Sequence, residues 1–255
     1  FFFLERKLTL GLAISDKINP KDLKKSIQAE ESRGVHGPQR GPISITQITE
    51  KGQVYTLNEI KELTQIAKEF KLPVHMDGAR FANALVSLEC TAAEMTWKAG
   101  VDVVSFGGTK NGLMGVEAVI FFDPQKAWEF ELRRKRAAHL FSKHRYLSAQ
   151  MLAYLQNDLW IELAGKANKA ASRLIAGLRK IEKVEFLVEP KANLIFVKMP
   201  AYMHRNAFAK GLEYYTWSEI DGVSDDTPVV ARFIVDWSRS LRDIDKFLEI
   251  MKNAA

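Results

Sequence analysis

Two short apolar runs in this chain end the same way. Val74-His75-Met76 runs into Asp77-Gly78, and Val101-Asp102-Val103-Val104-Ser105-Phe106 runs into Gly107-Gly108-Thr109-Lys110. Both are short, apolar and closed by turn residues, so they are predicted as strands, the second of them buried. The stretches around them carry a helical period: Leu57 to Lys71 places Leu57, Ile60, Leu63, Ile66, Ala67 and Phe70 on one stripe. Strands alternating with helices predict an α/β fold with a mostly parallel sheet and helices on both faces. In such sheets ligands bind beyond the carboxyl ends of the strands. The same rim therefore offers an acid, Asp77, and a lysine, Lys110, with two glycines that let backbone approach a ligand closely.

The rest of the chain continues this pattern. Helices are predicted over 20–33, starting at Pro20, and over Thr91 to Ala99, stopped by Gly100. Strands are predicted over Pro42 to Ile48 and Val116 to Phe122. Past Asp123-Pro124, Lys126 to about Trp160 reads as one long helical stretch, very basic from Arg133 to Arg145. After Gly165 comes a helix to Ile181, then strands at Val184–Leu187 and Leu194–Lys198. A helix around Arg205–Gly211, a strand at Val229–Val235 and a last helix at Leu241–Lys252 complete it. The expected division is residues 1–125 as the large domain, 126–164 as a basic linking helix, and 165–255 as a smaller C-terminal α/β domain.

Composition narrows the functions. Lys and Arg number 37 against 31 for Asp and Glu, a net charge of +6. That balance suits phosphate or carboxylate ligands but is too mild to argue for nucleic acid. The single cysteine, Cys90, excludes a disulfide framework and a cysteine metal cluster and makes a reducing, cytoplasmic setting the expectation. No run approaches the roughly 18 apolar residues of a membrane span. Phe1 to Lys7 places apolar residues before basic ones, the reverse of a signal peptide.

A lysine in a partly dry pocket loses its charge more easily and becomes a nucleophile toward an aldehyde. Pyridoxal phosphate is the aldehyde cofactor that uses such a lysine, and its ring nitrogen needs an acid partner. Asp77 and Lys110 suit those roles. Taken alone, they read more readily as a helix cap and a surface-loop lysine, since Asp-Gly and Gly-Gly are commonplace turns.

The wider motifs decide between these. His75-Met76-Asp77-Gly78-Ala79-Arg80 and Ser105-Phe106-Gly107-Gly108-Thr109-Lys110-Asn111-Gly112 resemble, in order and separation, the low-specificity threonine aldolase family. That family is a fold-type-I, pyridoxal-phosphate-dependent group within the beta-eliminating lyases. Gln47 to Gly52 and the basic segment ending in Phe141-Ser142-Lys143-His144-Arg145 also resemble it. The resemblance implies that Lys110 carries the cofactor and Asp77 pairs with its ring nitrogen. Thr109 and Ser105 would bond its phosphate or phenolic oxygen. Arg80 and Arg232 would hold the substrate carboxylate, with Arg145 a further phosphate- or substrate-facing arginine. His36, in Val35-His36-Gly37-Pro38, would lie near the substrate's side-chain hydroxyl. The implied activity cleaves threonine or a related β-hydroxy-α-amino acid to glycine and an aldehyde. The implied assembly is a homodimer or homotetramer, with no metal, nucleic acid or membrane partner.

Family members carry a further segment ahead of the matched region, with a ring that stacks on the cofactor and a turn that cradles its phosphate. The chain is thus expected to be an incomplete form that binds the cofactor weakly. Three alternatives stay open: another enzyme on the same scaffold (aminotransferase, racemase or β-eliminating lyase), a truncated non-catalytic protein, and a basic nucleic-acid binder. Arg232, between apolar residues, also reads as a strand-edge arginine, and Arg133 to Arg145 as a solvated helix face.

Overall fold

The computed structural model describes residues 16–30, 34–37 and 39–255. Helix α1, Pro20–Ala29, starts where its sequence says it should: the Asn19 side chain accepts a hydrogen bond from the Lys21 amide at 2.9 Å, and Pro20 takes the first turn. The expected continuation over 31–33 falls outside the described residues, as does Pro38. Helix α2, Leu57–Glu69, opens with a capping box. Thr56 Oγ1 accepts from the Glu59 amide and the Glu59 carboxylate accepts from the Thr56 amide.

Four strands form the first sheet in the order of the chain: β1 Ile43–Thr46, β2 Val74–Gly78, β3 Val103–Gly107 and β4 Glu117–Phe121. The first three are parallel, and β4 returns antiparallel to β3. Period two sorts the side chains. Ile43, Ile45, Val74, Met76, Val104 and Phe106 are buried in a core with Leu23, Ile27, Ile60, Leu63 and Ile66 from α1 and α2. Ser44, Thr46, His75, Asp77 and Ser105 share the other face, where they are half-buried or exposed. Helices α3, Phe81–Leu88, and α4, Ala92–Met95, follow β2 on the core side. Helix α5, Ala127–Arg136, meets the polar face at its edge, where Phe130 and Phe121 lie 5.3 Å apart between ring centroids.

The long helical stretch expected over 126–160 is instead broken. Helix α5 ends at Arg136 and α6 runs Arg145–Leu155. Four adjacent cations, Arg133 to Arg136, close α5, where the negative end of the helix dipole favours them. Ala138 then takes a left-handed φ of +62°. Helix α7, Leu159–Leu178, runs straight through the division expected near residue 165. Its first turns pack on the first core through Ile161 and Leu163, and Ala170, Ala171, Leu174 and Leu178 pack on a second.

The second sheet is antiparallel, built from β5 Glu185–Phe186, β6 Leu194–Pro200, β7 Tyr215–Thr216 and β8 Pro228–Ile234 in the order β5-β6-β8-β7. One face carries Ile195, Val197, Ala231 and Phe233 against α7, α8 (Ala201–Ala209) and α9 (Leu241–Ala254). The other carries Leu194, Phe196 and Val230 against the first core. The 47–55 loop locks the two sheets together. The Gln47 side-chain amide bonds both the amide and the carbonyl of Tyr55 at 2.9 Å. Gly52 takes φ +93° with its α-carbon pressed on β6, so that an added Cβ would lie 2.2 Å from the Leu194 carbonyl oxygen. Gly52→Ala is therefore expected to destabilise the fold by at least about 2 kcal/mol, from strained φ plus a backbone clash. Chemical denaturation checks this; a loss below about 0.5 kcal/mol would show that the loop moves freely off β6.

Candidate active site

The site forms where β2 and β3 end. Asp77 and Ser105 are register partners on the polar face. Just past them the two chains touch: a Cβ on Gly107 would lie 2.5 Å from the Ala79 carbonyl oxygen. The turn after β2 therefore rests on the turn after β3, and only glycine permits it. Asp77 Oδ1 accepts a hydrogen bond from the Ala79 amide at 3.0 Å, which fixes its carboxylate over this junction. The alternative reading of Asp77 as a helix cap is not what is seen. Arg80 holds the N-cap position of α3, and no side chain caps that helix.

Lys110 lies in a short 3-10 turn, Thr109–Asn111. Two carboxylate contacts hold this turn: the amides of Gly108 and Thr109 donate to Glu117 on β4 at 3.0 and 3.2 Å. Asn111, buried, donates to the Tyr154 hydroxyl at 2.6 Å and the Trp160 carbonyl at 2.9 Å. Below it, Phe106 stacks edge-on to Phe81 and Trp160 at 5.5 and 5.6 Å. The Tyr154 hydroxyl is pushed up to about 12 by burial, so it stays protonated. The Lys110 side chain itself is exposed and makes no hydrogen bond or ion pair among the described residues. Among the described residues no dry pocket encloses it. Of the five tryptophans, only Trp160 joins the core beneath the site; Trp97, Trp128, Trp217 and Trp237 are exposed.

The arginines behave differently from one another. Arg80 is buried, at 8% exposure, yet among the described residues its guanidinium has no hydrogen bond or ion pair. Burial, with a smaller push from the nearby Arg232 charge, lowers it to about 10, and Glu50 offsets this only in part. Arg232 reaches the same space from β8, since it pairs in register with Phe196, whose side chain packs on the first core. Two neighbouring guanidinium charges, offset only in part by Glu50, suit a carboxylate or phosphate ligand. His36 and Arg145 are not drawn into this cluster. His36 is exposed in a 3-10 turn, Gly34–His36, and hydrogen-bonds none of these residues. Arg145 is exposed at the start of α6, stacked over Tyr146 at 5.3 Å. Thr109 Oγ1 makes only a long 3.5 Å contact, to the Val116 carbonyl, and Ser105 bonds His75.

Sequence reasoning missed Glu117 and gave His75 no role of its own. The period-two spacing of His75 and Asp77 was a usable signal for the latter. Glu117 had none, because its contact needs the β3–β4 hairpin to fold first.

Comparison with known proteins places this geometry in a class. The beta-eliminating lyase family matches residues 6–201, and the chain belongs to that family. The chain is 38% identical over 237 residues to the low specificity L-threonine aldolase of a Pseudomonas species, covering 93% of the chain and 66% of that protein. It is 35% identical over 253 residues to the protein of the same name from Pseudomonas aeruginosa, covering 99% of the chain and 69% of that protein. The fold matches the solved threonine aldolase of Leishmania major with a TM-score of 0.87 at 24% identity, covering 98% of this chain and 71% of that one. The chain thus spans about two thirds of the length of these relatives. Among the described residues no helix is long and apolar enough to cross a membrane.

Below about pH 10 Arg80 is charged in both the folded and the unfolded chain. Its burial then costs on the order of 3 kcal/mol, a cost relieved only as pH rises through 10 toward the ordinary arginine range. Arg80→Met is expected to raise unfolding free energy by about 1–3 kcal/mol, with a gain that is flat from pH 6 to pH 9. Denaturant melts at several pH values check it. A loss of stability instead would show that the guanidinium is satisfied where it lies.

Proposed function

We propose that the chain is the site-bearing part of a pyridoxal-phosphate-dependent lyase that cleaves threonine or a related β-hydroxy-α-amino acid to glycine and an aldehyde. The observation that carries this reading is the buried Arg80, its charge coupled to Arg232 and offset only in part by Glu50, three residues past Asp77 at one strand end while Lys110 follows the next strand end. The residues fit the cofactor: a carboxylate fixed at a strand end, an unpartnered amine, and hydroxyls at Ser105 and Thr109. When bound, pyridoxal phosphate supplies an electron sink for a bond broken at the amino acid's α-carbon.

The chain's residues then divide the work. Lys110 Nζ is the amine that would hold the cofactor covalently. Asp77 supplies the negative charge that keeps the ring nitrogen's proton in place. Thr109 would donate to the cofactor's phosphate or phenolic oxygen, with Ser105 near it accepting or donating only as its bond to His75 allows, and Arg145 would be a further anion contact. Arg80 and Arg232 bind the substrate carboxylate and so fix which of its bonds is presented for cleavage. His36 takes the β-hydroxyl proton, directly or through water. The same carboxylate clamp would serve any α-amino acid, so an aminotransferase, racemase or β-eliminating activity is the second reading; fold alone separates none of them. Product analysis does, because only the aldol cleavage yields glycine and an aldehyde.

The setting follows the same reading. The division into a large domain, 1–125, a linking segment, 126–164, and a small domain, 165–255, is part of the proposal. So are a cytoplasmic location, which a lone Cys90 favours, and a homodimer or homotetramer. Trp128, Leu132, Phe141, Leu152 and Leu155 are all exposed on or beside α5 and α6, and an interface between copies would cover them.

Borohydride reduction of the cofactor-loaded protein, followed by peptide mapping, is expected to label Lys110; a label on another lysine ends the assignment. Arg232→Ala is expected to raise KM for the amino acid at least tenfold, from loss of a charge-assisted bond of about 1.5–3 kcal/mol. Arg232→Lys restores this only in part, because an ammonium lacks the guanidinium's two-pronged geometry. A change below about twofold would make Arg232 a structural strand residue.

A further inference from the structure

His75 stands on the central strand with a hydroxyl bonded to each ring nitrogen. Its Nδ1 lies 2.9 Å from Ser44 Oγ on β1, and its Nε2 lies 2.8 Å from Ser105 Oγ on β3. This polar chain crosses three parallel strands on the face that carries Asp77, and Ser105 is the residue directly opposite Asp77. The backbone ladder holds these strands without it, and a β-branched apolar residue would fill position 75 with higher strand propensity.

We propose that His75 is a positioning residue for Asp77, and that through Ser105 it fixes a hydrogen-bond donor beside the Asp77 carboxylate. The inference rests on the reading of Asp77 as partner of the cofactor's ring nitrogen.

The direction of the chain follows from charge. A neutral imidazole donates from one nitrogen and accepts at the other. Burial holds His75 below the ordinary histidine range, and Asp77 opposes that shift in part. The ring is therefore neutral near pH 7. From β1 it faces Ser44 and Thr46, and from β3 Val103 and Ser105, so Asp77 is the charged group that acts on it. Asp77 lies toward the C-terminal end of β2, the end at which Nε2 reaches Ser105. Its negative charge favours the proton on Nε2. Nε2–H then donates to Ser105 Oγ, Ser44 donates to Nδ1, and the Ser105 proton must turn away from the ring toward the rim. A hydroxyl directed there supports the carboxylate's negative charge.

Two measurements test this. Histidine-ring NMR of the chain without cofactor reads the tautomer and titration midpoint of His75, assigned by loss of its signals in His75→Val. The Nε2-protonated form is expected, with a midpoint that falls in Asp77→Asn; the other tautomer or an unmoved midpoint overturns the proposal. In the cofactor-loaded protein, His75→Val and Ser105→Ala are expected to move the pH dependence of the visible absorption band in the same direction as Asp77→Asn, by less. A band that moves in Asp77→Asn but in neither of the other variants overturns the relay alone. A band indifferent to Asp77→Asn overturns the reading of Asp77 beneath it.

Discussion

The backbone leaving β3 rests on the backbone leaving β2, with no room at Gly107 for a Cβ beside the Ala79 carbonyl. The rest of the site is arranged by that contact. It sets the height at which Asp77 and the Lys110 turn emerge from the sheet, and it brings Arg80 to the first position before α3. The parallel register supplies the other half of the constraint by placing Ser105 opposite Asp77. A one-residue slip of either strand would turn His75, Asp77 and Ser105 into the core and bring Met76 and Val104 to the open face. Burial of Met76 and Val104 thus selects the register that exposes the polar row.

A second consequence concerns charge. Folding places Arg80 where water cannot fully solvate it and where Arg232 repels it. No pH between 5 and 9 relieves this, because the guanidinium is protonated throughout. An anion bound beside Arg80 would. Among the described residues, exposed Glu50 is the acid that offsets this charge, and only in part. Stability given up at such a place is the usual mark of a site organised around a ligand rather than around the fold.

How much of this was visible in the sequence depends on the range of the interactions. Strands β2 and β3, helix α2 and its capping box rest on neighbours within a few residues, and their apolar periods and turn glycines declared them. The order of acid before lysine, and the carboxylate-seeking arginines, came through resemblance in two compact motifs. What stayed hidden was long-range or conformational. The break between α5 and α6 turns on Ala138 adopting a left-handed φ, which alanine composition does not announce. The shared ownership of α7 by both cores needs the second sheet in place.

The Lys110 turn itself shows why a free lysine need not be a loose one. Its backbone is held from two sides: the Glu117 carboxylate takes the amides of Gly108 and Thr109, and Asn111 is tied below to Tyr154 and Trp160. The side chain projects from between these anchors with its four-carbon stem unpartnered. A lysine that would hold a cofactor gains from such a fixed base, because the turn then sets where its amine can reach. The aromatic layer of Phe81, Phe106 and Trp160 stiffens the lower anchor. The upper one depends on a single acidic side chain reaching across a hairpin. The turn's precision therefore rests on Glu117, a residue that need touch neither cofactor nor substrate.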